Sequence, residues 1–219
     1  MSIKERLHDI LATLPEGVKL VAVSKFHPAE SIREAYDAGQ RIFGESRPQE
    51  MAAKQAQLPA DIEWMMIGHL QTNKVKMIAP FVSMISSVDS ERLIDEIEKQ
   101  AAKCERVIDI LLEVHVAREE TKSGWDVDEL RAYLDSGALD RMAHVRVRGV
   151  MTIASNTDDE SIVRGDFEHI RAIYDELKPR FGEAFDTLSI GMSDDYPMAL
   201  EYGSTMVRIG TAIFGSRSY

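Results

Sequence analysis

Eight short apolar runs, separated by stretches with helical spacing, constrain the fold of this chain more than any other feature. The runs cover residues 20–25, 41–45, 63–67, 81–88, 107–116, 145–153, 187–191 and 206–214. Between them, helical patterns span 28–38, 46 to about 57, 73–78, 91–103, 127–136, 158–178 and 196–202, with Pro179 expected to end the longest. A further helix over 2–13, with Ile3, Leu7, Ile10 and Leu11 on one face, precedes the repeat. Strand–helix alternation with short connections and no change of composition predicts an α/β fold. We read it as a single-domain (β/α)8 barrel of the TIM type over residues 1–219, with an extra N-terminal helix. An open doubly wound sheet is the alternative, but it calls for fewer strands and a glycine-rich first turn, whereas the first turn here is Ser24-Lys25-Phe26-His27-Pro28.

A chain of 219 residues can bury one substantial core without crosslinks. Its 37 acidic residues outweigh 26 basic ones, and the resulting charge of -11 argues against a nucleic-acid partner. An anionic ligand must therefore find a local positive site. Residues 1–6 lack the apolar core of a signal peptide, and no stretch is long enough to span a bilayer, so no membrane partner is expected. Cys104 is the sole cysteine, which excludes an intrachain disulfide and fits a cytoplasmic protein.

In a barrel of this kind the chemistry gathers at the C-terminal ends of the strands. The first run, Leu20-Val21-Ala22-Val23-Ser24-Lys25, ends on a lysine. Burial lowers a lysine's pKa and frees its lone pair, and a neutral amine at a strand mouth can form a Schiff base with an aldehyde. The same pattern also fits a strand edge whose lysine head is solvated. Ser189-Ile190-Gly191-Met192-Ser193 leaves the seventh run, with Ser193 placed where the next helix begins. Such a serine can contact a phosphate or simply cap the helix, and Asp194 and Asp195 would have to face away from a bound phosphate. In the eighth run Arg208 alternates with apolar residues and needs an acceptor, and Gly210 and Thr211 follow it. Loops after the seventh and eighth strands are the usual phosphate site of these barrels, which makes Ser193, Gly210 and Thr211 the candidate cradle. Met151 can lie against a flat ring or fill core. His69, Asn73 and Lys122 are polar groups at other strand ends that an exposed turn would explain equally well. No cluster has metal-ligand spacing.

Taken together, Ala22-Val23-Ser24-Lys25, Phe43-Gly44-Glu45, residues 67–74, residues 120–124, Val150-Met151-Thr152-Ile153, Ser189-Ile190-Gly191-Met192-Ser193 and Val207-Arg208-Ile209-Gly210-Thr211 resemble the pyridoxal phosphate homeostasis proteins over nearly the whole chain. The resemblance implies a barrel similar to the N-terminal domain of alanine racemase, with pyridoxal 5'-phosphate held by Lys25 as a Schiff base. It also implies cofactor contacts from Met151, Ser189, Met192, Ser193, Gly210 and Thr211, with Arg208 facing the pyridine nitrogen. The chain departs at Gly44-Glu45-Ser46, where many members have asparagine in third place. The implied role is homeostasis of vitamin B6 and amino acids, as a monomer that could serve pyridoxal-phosphate-dependent apoenzymes. The alternative is a small racemase-type enzyme. An arginine beside the ring nitrogen keeps that nitrogen unprotonated and weakens the ring as an electron sink, which favours the first reading. A chain that stops soon after its eighth strand is also expected to lack the second acid–base group of a racemase.

Overall fold

The computed structural model describes residues 1–119 and 122–215, so Glu120 and Thr121 of the 120–124 motif lie outside the described residues. Eight parallel strands close into a barrel in the order of the chain. They are β1 (Lys19–Val23), β2 (Ile42–Glu45), β3 (Glu63–Met66), β4 (Met84–Val88), β5 (Ile108–Glu113), β6 (Val145–Met151), β7 (Thr187–Ser189) and β8 (Met206–Ile209). Closure is made by β8 against β1, in a register that pairs Val21 with Arg208 and Ala22 with Ile209. The helices are α1 (Ile3–Thr13), α2 (Ala29–Asp37), α3 (Pro48–Gln55), α4 (Val75–Ile78), α5 (Glu91–Lys103), α6 (Val127–Asp135), α7 (Glu160–Phe181), α8 (Tyr196–Glu201) and α9 (Thr211–Phe214).

Side chains of successive strand residues point to opposite faces, and this alternation divides the apolar residues into two cores. Val21, Met65, Met84, Leu111, Met151 and Met206 fill the barrel interior. Four of these six are methionines, whose unbranched side chains fit an irregular, tapering space. Leu20, Ala22, Phe43, Trp64, Met66, Ile85 and Leu112 point outward into the larger core beneath the helices. The extra helix α1 starts on a capping box, with the Glu5 amide donating to Ser2 Oγ at 3.2 Å and the Ser2 amide to Glu5 Oε2 at 2.7 Å. It packs against α2 and α9, the first and last helices of the repeat, and Arg6 Nε donates to the carbonyl of Ile213 at 2.6 Å.

The structure departs from the sequence reading at several ends. The eighth strand stops at Ile209 rather than running to residue 214, because the amides of Ile213 and Phe214 both turn back to the Gly210 carbonyl at 2.9 Å. Residues 212–214 are apolar, so pattern alone could not separate a helical turn from more strand. The helix α7 continues through Pro179 to Phe181. A proline so near the end forfeits one ladder bond, and the last turn is held by Phe181 stacking on buried Phe185 at 5.1 Å. The first strand ends at Val23, which puts Lys25 two residues beyond it in a turn.

Candidate functional site

The strand ends open on a cavity of about 230 Å³. Lys25 and His27 line it from the turn after β1, Ser193 and Asp194 from the loop before α8, and Gly210 and Thr211 from the junction of β8 with α9. Arg208 contributes from β8, and Val23, Ile67 and Ile153 supply apolar walls. The topology brings these together because β1, β7 and β8 are neighbours across the barrel closure. The cavity therefore combines an amine, a guanidinium and two hydroxyls with apolar surface, a set suited to a small anion carrying an apolar body.

Arg208 is buried, and its fork is fully directed. Nη1 donates to the carbonyl and hydroxyl of Ser189 at 2.8 and 2.7 Å, and Nη2 to the carbonyl of Thr152 at 2.8 Å. Burial pulls its pKa down to about 10, opposed by the carboxylates of Asp195 and Glu113, so the group is still a cation at neutral pH. Ser189 thus serves as the acceptor of the arginine and is fully buried. Met151 is also fully buried and belongs to the interior core, beneath the cavity and not in its lining. Met192 lines the cavity and is 39% exposed.

The structure separates the two roles left open for Ser193. The helix α8 begins at Tyr196 with Asp195 in the N-cap position, so Ser193 is a loop residue facing the cavity. Asp195 turns back, accepting from the Met192 amide at 2.5 Å, and burial pushes its carboxyl pKa up. Asp194 does line the cavity, against the requirement that both aspartates face away from a phosphate. Gly191 has φ +96°, and a Cβ there would stand 2.8 Å from the Ala199 Cβ and 2.9 Å from the Tyr196 Cα. Its smallness serves the packing of α8 on β7.

Other candidates lie apart. Lys122 Nζ donates to the Ala154 carbonyl at 2.6 Å and pairs with Glu119 Oε1 at 3.0 Å. His69 Nδ1 meets Asp89 Oδ2 at 3.0 Å beside a second, more open depression that Asn73 also lines. Two features escaped the sequence reading. Glu113, inside the apolar β5, is buried with Oε1 accepting from Ser123 Oγ at 2.9 Å and Oε2 without a partner, and burial raises its pKa. Its position two residues after inward-facing Leu111 was the available signal. The other is a buried group of Ser24, Glu45 and Lys54, joined to Glu50, behind the Lys25 turn. Met51 and Lys54 both lie on the buried side of α3, a three-residue spacing that pointed to an inward lysine.

Comparison with known proteins places this arrangement. The family model for the alanine racemase N-terminal domain matches residues 1–218. The pyridoxal phosphate homeostasis protein of Aquifex aeolicus is 43% identical over 202 residues, covering 92% of this chain and 88% of the relative. The chain belongs to the pyridoxal phosphate homeostasis protein family. The Pasteurella multocida member is 39% identical over 214 residues, 95% of this chain and 91% of its own. Among solved structures, PipY of Synechococcus elongatus PCC7942 with PLP bound superposes with a TM-score of 0.90 at 39% identity, covering 98% of this chain and all of that one. Alanine racemase from Streptomyces coelicolor A3(2) shares the fold, with a TM-score of 0.76 at 19% identity over 96% of this chain and 57% of the racemase.

Proposed function

We propose that this chain binds pyridoxal 5'-phosphate at the barrel mouth and acts in its homeostasis, with Lys25 as the attachment point. The observation that carries the proposal is the convergence of Lys25, Arg208, Ser193, Gly210 and Thr211 on one cavity, in a chain 39% identical to PipY, whose structure has PLP bound. Bound pyridoxal phosphate supplies an aldehyde that condenses with an amine, releasing water, and a phosphate that seeks donors. The residues fit that group. Lys25 offers the amine, Ser193 and Thr211 offer hydroxyls, and a Cβ on Gly210 would stand 3.1 Å from the Val23 carbonyl oxygen, a tight contact that glycine avoids at this point of the wall.

Arg208 holds its charge at the ring-nitrogen end on this reading. Its three bonds to Ser189 and Thr152 fix the guanidinium, so it keeps its place without help from a ligand. The Arg208 guanidinium offsets Asp194 in the electrostatic balance of the cavity. On this reading Met192, exposed at the cavity lining, would cover the ring, and Met151 and Ser189, buried beneath, would support the floor. The recipients we infer are pyridoxal-phosphate-dependent apoenzymes, served by a cytoplasmic monomer. Among the described residues no helix is long and apolar enough to cross a membrane.

Equilibrium dialysis of the apo protein against pyridoxal phosphate, with absorbance recorded in parallel, tests the proposal. Saturable one-to-one binding with a new visible band supports it. Absence of saturable binding overturns it. Rapid, multiple-turnover exchange of the α-hydrogen of alanine in heavy water would replace homeostasis by the racemase-type alternative.

A further inference from the structure

Lys25 stands on a turn that the strand before it does not hold by itself. β1 ends at Val23, and Phe26 has φ +68°, a left-handed conformation that is uncommon for a bulky L-residue. Such a conformation persists where its surroundings over-determine it, and here they include Arg47, whose guanidinium lies 4.8 Å from the centre of the Phe26 ring, and two side chains of α3. The Phe26 amide donates to Glu50 Oε1 at 2.7 Å. Lys54 Nζ donates to the same Glu50 oxygen at 2.6 Å, to Glu45 Oε1 at 2.7 Å and to the Ser24 carbonyl at 2.9 Å. All three ammonium hydrogens are thereby used.

Ser24 is equally committed. Its amide donates to the Gly44 carbonyl at 3.0 Å and its hydroxyl to Glu45 Oε1 at 2.7 Å, while its carbonyl also accepts from the His27 amide at 3.1 Å. Ser24 is thus fixed toward α3, while Lys25, next to it in the turn, lines the cavity. Burying an ammonium with two carboxylates, one oxygen of which (Glu45 Oε2) has no partner, is an inefficient way to stabilise a fold. It is an effective way to specify one backbone geometry.

We infer that Glu50 and Lys54 are positioning residues, gripping residues 24–26 from outside the barrel so that Lys25 is presented in the one orientation from which its amine reaches a bound aldehyde. The inference rests on Lys25 being the attachment point. It concerns residues that do not line the cavity.

The test compares two probes, pyridoxal 5'-phosphate and pyridoxine 5'-phosphate, which has an alcohol where the first has the aldehyde. Affinities are measured for wild type, Glu50→Ala, Glu50→Gln, Lys54→Met and Lys25→Ala. Glu50→Ala and Lys54→Met should lose about tenfold or more in affinity for the aldehyde, one bond to a charged group being worth that much, and should hold pyridoxine 5'-phosphate within about twofold of wild type. Glu50→Gln keeps an oxygen for the Phe26 amide and should recover most of the loss. Without any ligand, Glu50→Ala should speed hydrogen exchange at the Phe26 amide, and Glu50→Gln should do so less. Equal losses for both probes in Glu50→Ala, or no loss for the aldehyde, would overturn the positioning role. Should Lys54→Met fail to fold, Glu50→Ala decides alone, because the Glu50 side chain is 21% exposed and tolerates truncation better. If Lys25→Ala binds pyridoxal phosphate as wild type does, the attachment reading fails and this inference with it, whereas a Lys25-dependent affinity that ignores Glu50→Ala refutes positioning alone.

Discussion

Arg208→Lys keeps a cation at the barrel mouth but removes the fork, and the structure gives the size of the effect. The wild-type guanidinium reaches Ser189 with one nitrogen and Thr152 with the other, tying the end of β7 to the residue that follows β6. A lysine ammonium carries its donors on one nitrogen at the end of a flexible stem and cannot reproduce the two separated nitrogens of the fork, one aimed at Ser189 and the other at Thr152. One or two of the three bonds should be lost. Hydrogen bonds from a charged donor are each worth about 1.5 to 3 kcal/mol, so the variant should lose roughly 2 to 5 kcal/mol. For a chain of this length that corresponds to a fall in Tm of about 4 to 20 °C. Thermal unfolding of the apo protein at neutral pH, followed by far-UV circular dichroism, measures it without any cofactor present. A Tm within 1 °C of wild type would refute the claim that the fork braces the site. Affinity for pyridoxal phosphate, measured on folded Arg208→Lys below its Tm, should also fall.

Ser193→Ala removes one hydroxyl from the phosphate cradle and should weaken pyridoxal phosphate binding by about tenfold to a hundredfold in a direct titration. Asp194→Asn removes a negative charge from the cavity lining and should tighten binding by several-fold, more at low salt than at high salt, when dissociation constants are compared across ionic strength. Glu113 has its pKa raised by burial, so its contribution to stability is present below the ordinary carboxylate pKa and is lost as pH rises through the folded value. Glu113→Gln should therefore gain on wild type in Tm between pH 5 and pH 8, and a pH-independent difference would contradict the assignment.

Much of the fold was readable because the barrel repeats one physical signal eight times. Leu20, Val21 and Ala22 of β1 read as strand at once, and the closed order follows from the short βα connections. The ends were less legible. Residues 212–214 are apolar and their helical turn is closed by bonds to the Gly210 carbonyl, and α7 runs past Pro179 to Phe181, whose ring stacks on Phe185. At the site, Lys25, Ser193, Arg208, Gly210 and Thr211 were picked out by lying at strand ends, and the structure brings them to one cavity. The buried Met151 shows the limit of that logic, since strand parity fixes that it points inward but not its depth. Lys54 was missed for a related reason. A lysine on α3 looks solvated until the partners that bury it, Glu45 on β2 and the Ser24 carbonyl after β1, are folded against it.

The central claim is that Lys25 is the residue to which pyridoxal phosphate attaches, and chemical trapping addresses it most directly. The wild-type protein is equilibrated with stoichiometric pyridoxal phosphate, reduced with borohydride, digested and mapped by mass spectrometry. A single dominant adduct is expected on the peptide that contains Lys25, absent from Lys25→Ala. An adduct of equal yield in Lys25→Ala, or one mapped mainly to Lys122 or another lysine in the wild type, would contradict it.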